Sequence, residues 1–581
     1  MSEDKAGKYR KGSKTDSGFN KKPSASRRRP LNRHEMETPE DLNVSASAKK
    51  LKERNVYDVE VDPSFGYRFI NFIPVFAAIS NVVVCKVCHS NVTFTETSKR
   101  GLGFKLVISC DNCEKKEIPN SSYVKNAYEI NRRIILAMRL LGVGLRGLMK
   151  FCAFMELPRP IFQSCYDRVI KNICSATEVV SKNSMMKAVE EEKIISAENG
   201  EENGITISGD GSWRKRGFTS LYGLVSVIGW YSGKVVDAVV KSKYCKSCQY
   251  WKNKEETEEY AEWLENHANE CQANHEGSAG KMEVDAVVEM FQRSETLHNV
   301  KYVNYIGDGD SKTFKGITDA KPYKDFIVNK KECIDHVQKR MGTRLRNLKK
   351  SNKGLGGKGK LTGKLIDELS RYYGLAIRRN SESIVAMKDA IWATIFHKLS
   401  TDENPQHHHC PVGEDSWCTW QKAKATNNLD NYKHKQPLLQ EVYDAIKPVY
   451  EELTRDDLLI RCLGGFTQNN NESFNSTVWA MAPKAISSGK MILDIATNLA
   501  IGIFNDGFSS ILSVFDVMDM KIGPQSYELC MKIDAERIRL AELSVSEGAK
   551  EARINLKALR KQNEEDELLL EGQLYGPGIS D

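Results

Sequence analysis

The sequence predicts an α/β core set among helices, on three observations. Strand-like runs at 204–208, 222–228 and 235–240 are followed by a helical stretch from Met282 to about Ser294 and by a fourth strand, 300–306. Apolar residues recur at three- and four-residue intervals through 120–195, among them Ile134, Ile135, Met138, Leu141, Leu145, Leu148 and Met149. Beyond about residue 320 the pattern stays helical through 465. A chain of 581 residues exceeds what one core organises, so two to four domains are expected. No apolar run approaches the roughly 18 residues of a membrane span, and no membrane association is expected.

In chain order, residues 1–55 are rich in Lys, Arg, Ser, Gly and Asn and poor in large apolar side chains, which predicts a disordered basic tail. Residues 1–34 hold eleven Lys/Arg against three acids, the whole formal charge of +8. Lys21-Lys22 followed by Arg27-Arg28-Arg29 has the form of a two-part nuclear import signal; a basic tail lying on DNA phosphates would look the same. The start is polar and has no apolar h-region, so a nuclear, reducing setting is expected, and fifteen cysteines there point to metal sites rather than disulfides.

Residues 60–118 read as a zinc-ribbon-like domain. Cys85-x2-Cys88 and Cys110-x2-Cys113 each follow a β-prone run, Val82–Val84 and Phe104–Ser109. Two such pairs bring four thiolates to the tetrahedral cage that structural Zn²⁺ prefers. Residues 119–200 read as helices cut by Leu-Gly-Val-Gly at 141–144 and Leu-Pro-Arg-Pro at 157–160 into pieces of helix-turn-helix size, a pattern that helical packing explains equally well.

Residues 201–523 contain the α/β core, with two interruptions. The first, 241–280, carries Cys245-x2-Cys248 and His267-x3-Cys271, whose i, i+4 spacing shares a helix face and can complete a second zinc site; His275 lies one turn further on. The second, 320–465, is helical and includes a glycine- and lysine-rich linker at 349–364. It also carries a looser group, His407-x2-Cys410 with Cys418 and His434, in which neighbouring His408 and His409 leave the ligands of a third zinc ambiguous. Residues 524–581 form a charged helical tail.

Two acids follow strands: Asp210 in Ser-Gly-Asp-Gly-Ser-Trp, and Asp308 in Ile-Gly-Asp-Gly-Asp-Ser, with Asp310 two residues later. Strand ends flanked by glycines are where α/β sheets place chemistry, because a ligand can approach the backbone there. Grouped carboxylates suit a hard divalent cation such as Mg²⁺. A third acid, Glu472, opens a helix in Asn-Asn-Asn-Glu-Ser-Phe-Asn, with Asn475 at i+3 on the same face.

These motifs, with Cys333-x2-His336 in Glu-Cys-Ile-Asp-His-Val-Gln-Lys-Arg, resemble the Mutator-like transposase domain, in the same order, from about Cys85 to Gly523. The resemblance implies a ribonuclease H-like core with a large helical insertion and a catalytic triad at Asp210, Asp308 and Glu472, Asp310 remaining an alternative second acid. Cys333 and His336 match the family's Cys-x2-His, and Asn475 would support the triad. It implies a DNA transposase: metal-dependent strand cleavage and strand transfer with Mg²⁺ or Mn²⁺, acting on double-stranded DNA at element ends as a homo-oligomer. The other class of function open to such a chain is a domesticated, non-catalytic nuclear zinc protein that binds DNA. Residues 321–379 hold seventeen Lys/Arg against five acids, and Lys339, Arg340, Arg344 and Arg346 are the candidate phosphate contacts.

Overall fold

The structure is a computed structural model that describes residues 45–52 and 58–556, except 125–126, 216–218, 255, 269, 309–310, 358, 415, 547, 550–551 and 554. It divides into a large unit, 40–409 with 434–581, and a small unit, 1–39 with 410–433. The basic clusters at 21–29 and the alternative acid Asp310 lie outside the described residues.

The stretch expected to be disordered through residue 55 ends instead in a helix, α1 (Ala46–Lys52). Ala48 and Leu51, three residues apart, are buried, and the Lys50 ammonium lies 3.4 Å above the Phe504 ring. A short apolar stripe is enough to dock about two turns. Helix α2 (Phe72–Ser80) then leads into a three-stranded antiparallel sheet, β1 (Val92–Arg100), β2 (Gly103–Cys110) and β3 (Lys116–Pro119). Val82–Val84, expected as a strand, makes only the single bridge Val84↔Asn91, and all three valines are exposed. The run has β propensity but no neighbour to hydrogen-bond, and the strand forms after the first Cys pair instead.

A two-stranded ribbon, β4 (Tyr123–Val124) and β5 (Ala127–Tyr128), precedes helices α3 (Glu129–Leu140), α4 (Leu145–Phe154) and α5 (Gln163–Glu198). The Gly-rich and Pro-rich breaks fall between them as the sequence predicts. A five-stranded sheet follows: β6 (Ile205–Trp213), β7 (Tyr222–Gly229), β8 (Val235–Ser242), β9 (Tyr302–Gly307) and β10 (Asn329–Glu332), in the order β10-β9-β6-β7-β8. The first three are antiparallel neighbours, while β9 runs parallel to β6 and β10 parallel to β9.

Both faces of this sheet are covered, which is why β7 is buried along its whole length. Between β8 and β9 lie α6 (Lys246–Trp251), α7 (Glu258–His267) and α8 (Ala279–His298). Helix α8 packs Ala286, Val287, Met290 and Phe291 against Ile205, Ile207, Val225, Val227 and Val236 on one face. On the other, Leu224, Ile228, Val235 and Val240 join α5 and four later helices. Leu224 and Val225 thus serve opposite layers, as the two-residue period of a strand requires.

After α9 (Ser311–Ala320), helices α10 (Ile334–Ser351), α11 (Gly363–Arg379) and α12 (Ile384–Leu399) build a separate helical core. The expected Gly/Lys linker is pinned between α10 and α11, because Leu355 and Leu361 are buried in that core. The small unit contributes α13 (Thr419–Ala425). In the large unit α14 (Gln440–Leu453) and α15 (Asp456–Cys462) complete the insertion. Helices α16 (Asn469–Met481), α17 (Lys490–Asp506), α18 (Ser510–Val517) and α19 (Pro524–Val545) return to the sheet domain. Helix α19 is not merely a solvated tail: its buried Asp534 accepts the backbone N–H groups of Phe508 and Ser509 at 2.6 and 3.0 Å.

Phe291 is the keystone of the α8 layer, with ring contacts to Tyr302, Tyr305 and Tyr323 at 5.3–6.3 Å between centroids. Phe291→Ala is expected to cost about 3–5 kcal/mol and Phe291→Leu clearly less, read from urea unfolding followed by tryptophan fluorescence. Equal midpoints for Phe291→Ala and the wild type would refute this packing.

Candidate active site and metal-binding clusters

Asp210 does not follow β6 but lies within it, opposite Ser226 of β7. The reason is unequal pairing. Strand β6 stays bonded to β7 as far as Trp213, whereas its pairing with β9 stops at Ser208↔Ile306. Asp210 therefore sits where its parallel neighbour has ended, and Asp308 stands two residues beyond Ile306, level with it. The flanking glycines serve packing rather than ligand approach. A Cβ at Gly209 would lie 2.5 Å from the Tyr305 ring, and one at Gly211 2.0 Å from the Trp213 ring.

The third acid is delivered by α16. Gln468, just before the helix, donates its amide to the Gly209 carbonyl at 2.6 Å. Asn471 accepts from the Ser208 hydroxyl at 2.8 Å and donates to the Ser208 carbonyl at 3.1 Å. Asn475 donates to the Asp210 carboxylate at 2.8 Å, and the Trp479 indole N–H to the Ser212 hydroxyl at 2.8 Å. Positions 468, 471, 475 and 479 recur every three or four residues, so one stripe of the helix is fastened to the strand that carries Asp210. Glu472 occupies the first turn beside that stripe, where the helix dipole favours a carboxylate.

The electrostatics of Asp210 register the convergence. Burial, then the nearby Asp308 carboxylate, then Glu472, push its pKa up, against the Gly211 N–H and the Asn475 amide, to about 6. Asp210, Glu472, Asn475, Ser476, Trp479 and Lys484 line an open cleft of about 630 Å³. Three acids, one within β6, one just past β9 and one in the first turn of α16, offer only oxygen donors, a set whose chemistry fits a hard divalent cation. Cys333 is a packing residue rather than a member of this donor set. Cys333 is buried at the start of α10 among Ile306, Phe466 and Trp230, with its N–H 3.3 Å from the Gly307 carbonyl, so it packs beneath the Asp308 turn. The His336 backbone N–H donates to the Cys333 carbonyl at 3.1 Å.

The candidate phosphate contacts are largely engaged within the protein. Arg340 pairs with Glu332 at 2.5 Å, Arg346 with Asp367 at 2.6 Å, and Arg344 with Glu452, while Lys339 is exposed. Glu332 and Asp367 are already in the charge balance of 321–379, whereas Glu452 is an acid that sequence distance concealed.

Two cysteine clusters assemble as their spacing predicts, each with its four ligand atoms within 4.8 Å of one another. In the ribbon, the Cys88 and Cys110 sulfurs are 3.3 Å apart and those of Cys85 and Cys113 3.7 Å apart. Four thiols so close cannot all ionise alone: Cys88, Cys110 and Cys85 push Cys113 up to about 12. In the insert, the His267 Nε2 lies 3.3 Å from the sulfurs of both Cys245 and Cys248, and Cys248 is 3.5 Å from Cys271. Trp263 stacks on the His267 ring at 4.5 Å and fixes its plane. His275 is excluded, because its nitrogens face Asp285 at 3.2 Å and the Ser278 carbonyl at 3.1 Å. Both clusters are compatible with structural zinc.

The third group is divided between the units. In the large unit His407 faces His397 at 3.2 Å and His434 at 2.9 Å, and His434 also meets Asp402 at 2.7 Å. His397, ten residues upstream on α12, carries no spacing signal that would have singled it out. In the small unit Cys410 and Cys418 are both buried, and Cys418 pushes the Cys410 thiol up.

Two outcomes are expected. Folding raises the Asp210 pKa from its ordinary 3.8 to about 6, so stability from this group is present below pH 3.8 and is lost as pH rises through 6. Without added divalent cation, Asp210→Asn should therefore stabilise the protein at pH 7.5 by on the order of 1–2 kcal/mol, discounted for partial exposure, and not at pH 4. Identical urea midpoints for the two proteins at pH 7.5 would contradict the crowding. For zinc, elemental analysis of the purified full chain should find at least two ions. Cys88→Ser and Cys248→Ser should each lose one, and metal-free protein of unchanged stability would count against both sites.

Nothing among curated proteins or solved structures matches this chain. A family model, however, matches residues 66–418, more than half of the sequence, and its description is Mutator-like transposase. The matched span includes Asp210, Asp308, the Cys-x2-His of α10 and both cysteine clusters, and ends before α16. With the motifs in family order and so much of the chain covered, the protein belongs to the Mutator-like transposase family.

Proposed function

We propose that this transposase-derived protein is a DNA transposase whose cleft catalyses metal-dependent strand cleavage and strand transfer on double-stranded DNA. The observation that carries this reading is the convergence of Asp308 and Glu472 on Asp210, whose pKa is pushed up to about 6 by burial first and then by these two acids. The sheet order supports a ribonuclease H-like core. Three antiparallel strands are followed by a fourth parallel to the first and a fifth outside it, and the acids lie on the first strand, after the fourth and on a later helix.

A divalent cation such as Mg²⁺ or Mn²⁺ held by Asp210, Asp308 and Glu472 would neutralise these acids and make a water or a 3′-hydroxyl nucleophilic at neutral pH. The chain's own part is positional. Asn475 orients the Asp210 carboxylate, Gln468 and Asn471 lock α16 to β6, and Trp479 closes one wall of the cleft against Ser212. Lys484 places its ammonium 4.8 Å over the Trp479 ring, so the same wall offers a DNA strand both positive charge and an aromatic face. Element ends are the proposed substrate and a homo-oligomer the acting form. The nucleus is its proposed location, supported by the basic pairs at 21–29.

With Mg²⁺ and DNA bearing the element's own ends, Asp210→Asn, Asp308→Asn and Glu472→Gln should each lower cleavage at least about a hundredfold, with duplex affinity kept within about twofold. Cleavage at the wild-type rate by any of them would remove that residue from the triad. A wild-type protein that binds the ends and never cleaves would be the domesticated derivative. At limiting Mg²⁺ the activity of the wild type should fall as pH drops, because a proton on Asp210 competes with the cation, and raising Mg²⁺ should move that fall to lower pH.

A further inference from the structure

Arg139, near the end of α3, is 5% exposed, and its Nε and Nη2 atoms have no hydrogen-bond partner among the described residues. A buried cation left unpaired costs several kcal/mol unless an anion joins it. Its surroundings sharpen the problem. Arg139 lines a cavity of about 420 Å³, and the starts of three helices line the same cavity: Gly144-Leu145 of α4, Gln163 of α5 and Gly489 of α17. A Cβ built at Gly144 would lie 3.5 Å from Arg139 Nη2, so the guanidinium stands at the positive end of α4. None of the three helices has a side-chain cap; their N-caps are Gly144, Phe162 and Gly489. The Leu145 N–H is turned to the Tyr166 hydroxyl. The acid at the rim, Asp167, faces solvent and takes the Gln163 amide at 2.8 Å.

A buried arginine and three uncapped helix starts around one cavity form a cradle rich in donors, in which the exposed Asp167 is the one carboxylate of the lining. Such a cradle suits an anion with several acceptor oxygens. The loop that closes it is held in place, since Arg214 donates to the Ser488 carbonyl at 2.9 Å and to that of Ile486. Met481 and Ala482, at the end of α16, also line the cavity, while Ala480 lines the acidic cleft, so the two sites adjoin along one helix.

We propose that this cavity binds a phosphate group, with Arg139 as its charged contact and the starts of α4, α5 and α17 as its backbone donors. The oxyanion is the same whether it belongs to a DNA strand running past the end of α16 or to free phosphate. The site does not depend on the chemistry of the carboxylates.

The test uses the full chain and inorganic phosphate, against chloride at equal ionic strength. In chloride, Arg139→Met should melt above the wild type, because an unpaired buried charge is gone. Phosphate should raise the wild-type melting temperature saturably and leave Arg139→Met unshifted, since only a folded state that binds the ligand gains from it. Calorimetry on Arg139→Lys, which keeps the charge without the fork, should show phosphate binding weakened about tenfold and serves if the methionine variant misfolds. Duplex binding separates the sources. A loss of about tenfold in Arg139→Lys, with a salt slope lower by about one, assigns the phosphate to DNA. Unchanged duplex affinity with phosphate binding weakened assigns it to the free anion. A wild type with no phosphate-specific shift, or a shift undiminished in both variants, would overturn the site.

Discussion

The candidate active site depends on a seam of side-chain amides between α16 and β6. Asp210 and Glu472 are separated by four further strands, the cysteine-bearing insert and the helical insertion, and no local structure relates them. What relates them is Gln468, Asn471 and Asn475, each spending an amide on β6 or on Asp210 itself. Asn471 is buried, and between Ser208 and the Ser226 carbonyl at 3.5 Å it reaches two strands at once. An apolar contact would hold the helix against the sheet without fixing its rotation. Directional bonds to strand carbonyls fix it to within a fraction of a turn, and Glu472 inherits that precision.

The same seam explains why the sheet is uneven. If β9 paired with β6 as far as β7 does, Asp308 would be drawn into a ladder instead of turning toward Asp210. The ladder ends at Ser208↔Ile306, and Cys333 packs against the Gly307 carbonyl just beyond it, on the parallel continuation from β10. Strand lengths, not special backbone conformations, thus set the distance between the first two acids. The helical insertion leaves and re-enters beside this point. Ile334 bonds to the Phe466 carbonyl at 3.0 Å, which closes the excursion and keeps its own core from disturbing the sheet.

What could be read in the sequence were features encoded within a few residues. Cys-x2-Cys pairs, the β runs of β6 to β9 and the glycine and proline breaks around α4 are local, and the structure has them where the pattern puts them. The pairing of Arg340 with Glu332 falls within 321–379 and is part of its charge count, but that of Arg344 with Glu452 spans over a hundred residues, so the count overstated the free positive charge. Val82–Val84 had strand composition but no partner, and the glycines beside Asp210 looked like ligand access until Tyr305 and Trp213 were seen to occupy the space. The stripe of Gln468, Asn471, Asn475 and Trp479 showed in the sequence only at Asn475, three residues after Glu472. Its reading required knowing which strand it faced.

Two groups in the sheet domain are held against their electrostatic preference, and they adjoin opposite ends of one helix. Near the first turn of α16 an acid is crowded by two others; beyond its last turn an arginine is buried without a partner. A fold selected for stability alone would pair or discard both, since removing either charge relieves a desolvation cost. The carboxylates follow the dipole of α16, which lowers their cost without cancelling it, whereas the guanidinium faces the starts of α4, α5 and α17, which raises its own. The remainder is stability withheld until ligands of opposite charge arrive, a cation at one end and an oxyanion at the other. A phosphodiester with its metal supplies both charges in one molecule, and α16 is the element that would hold them in register.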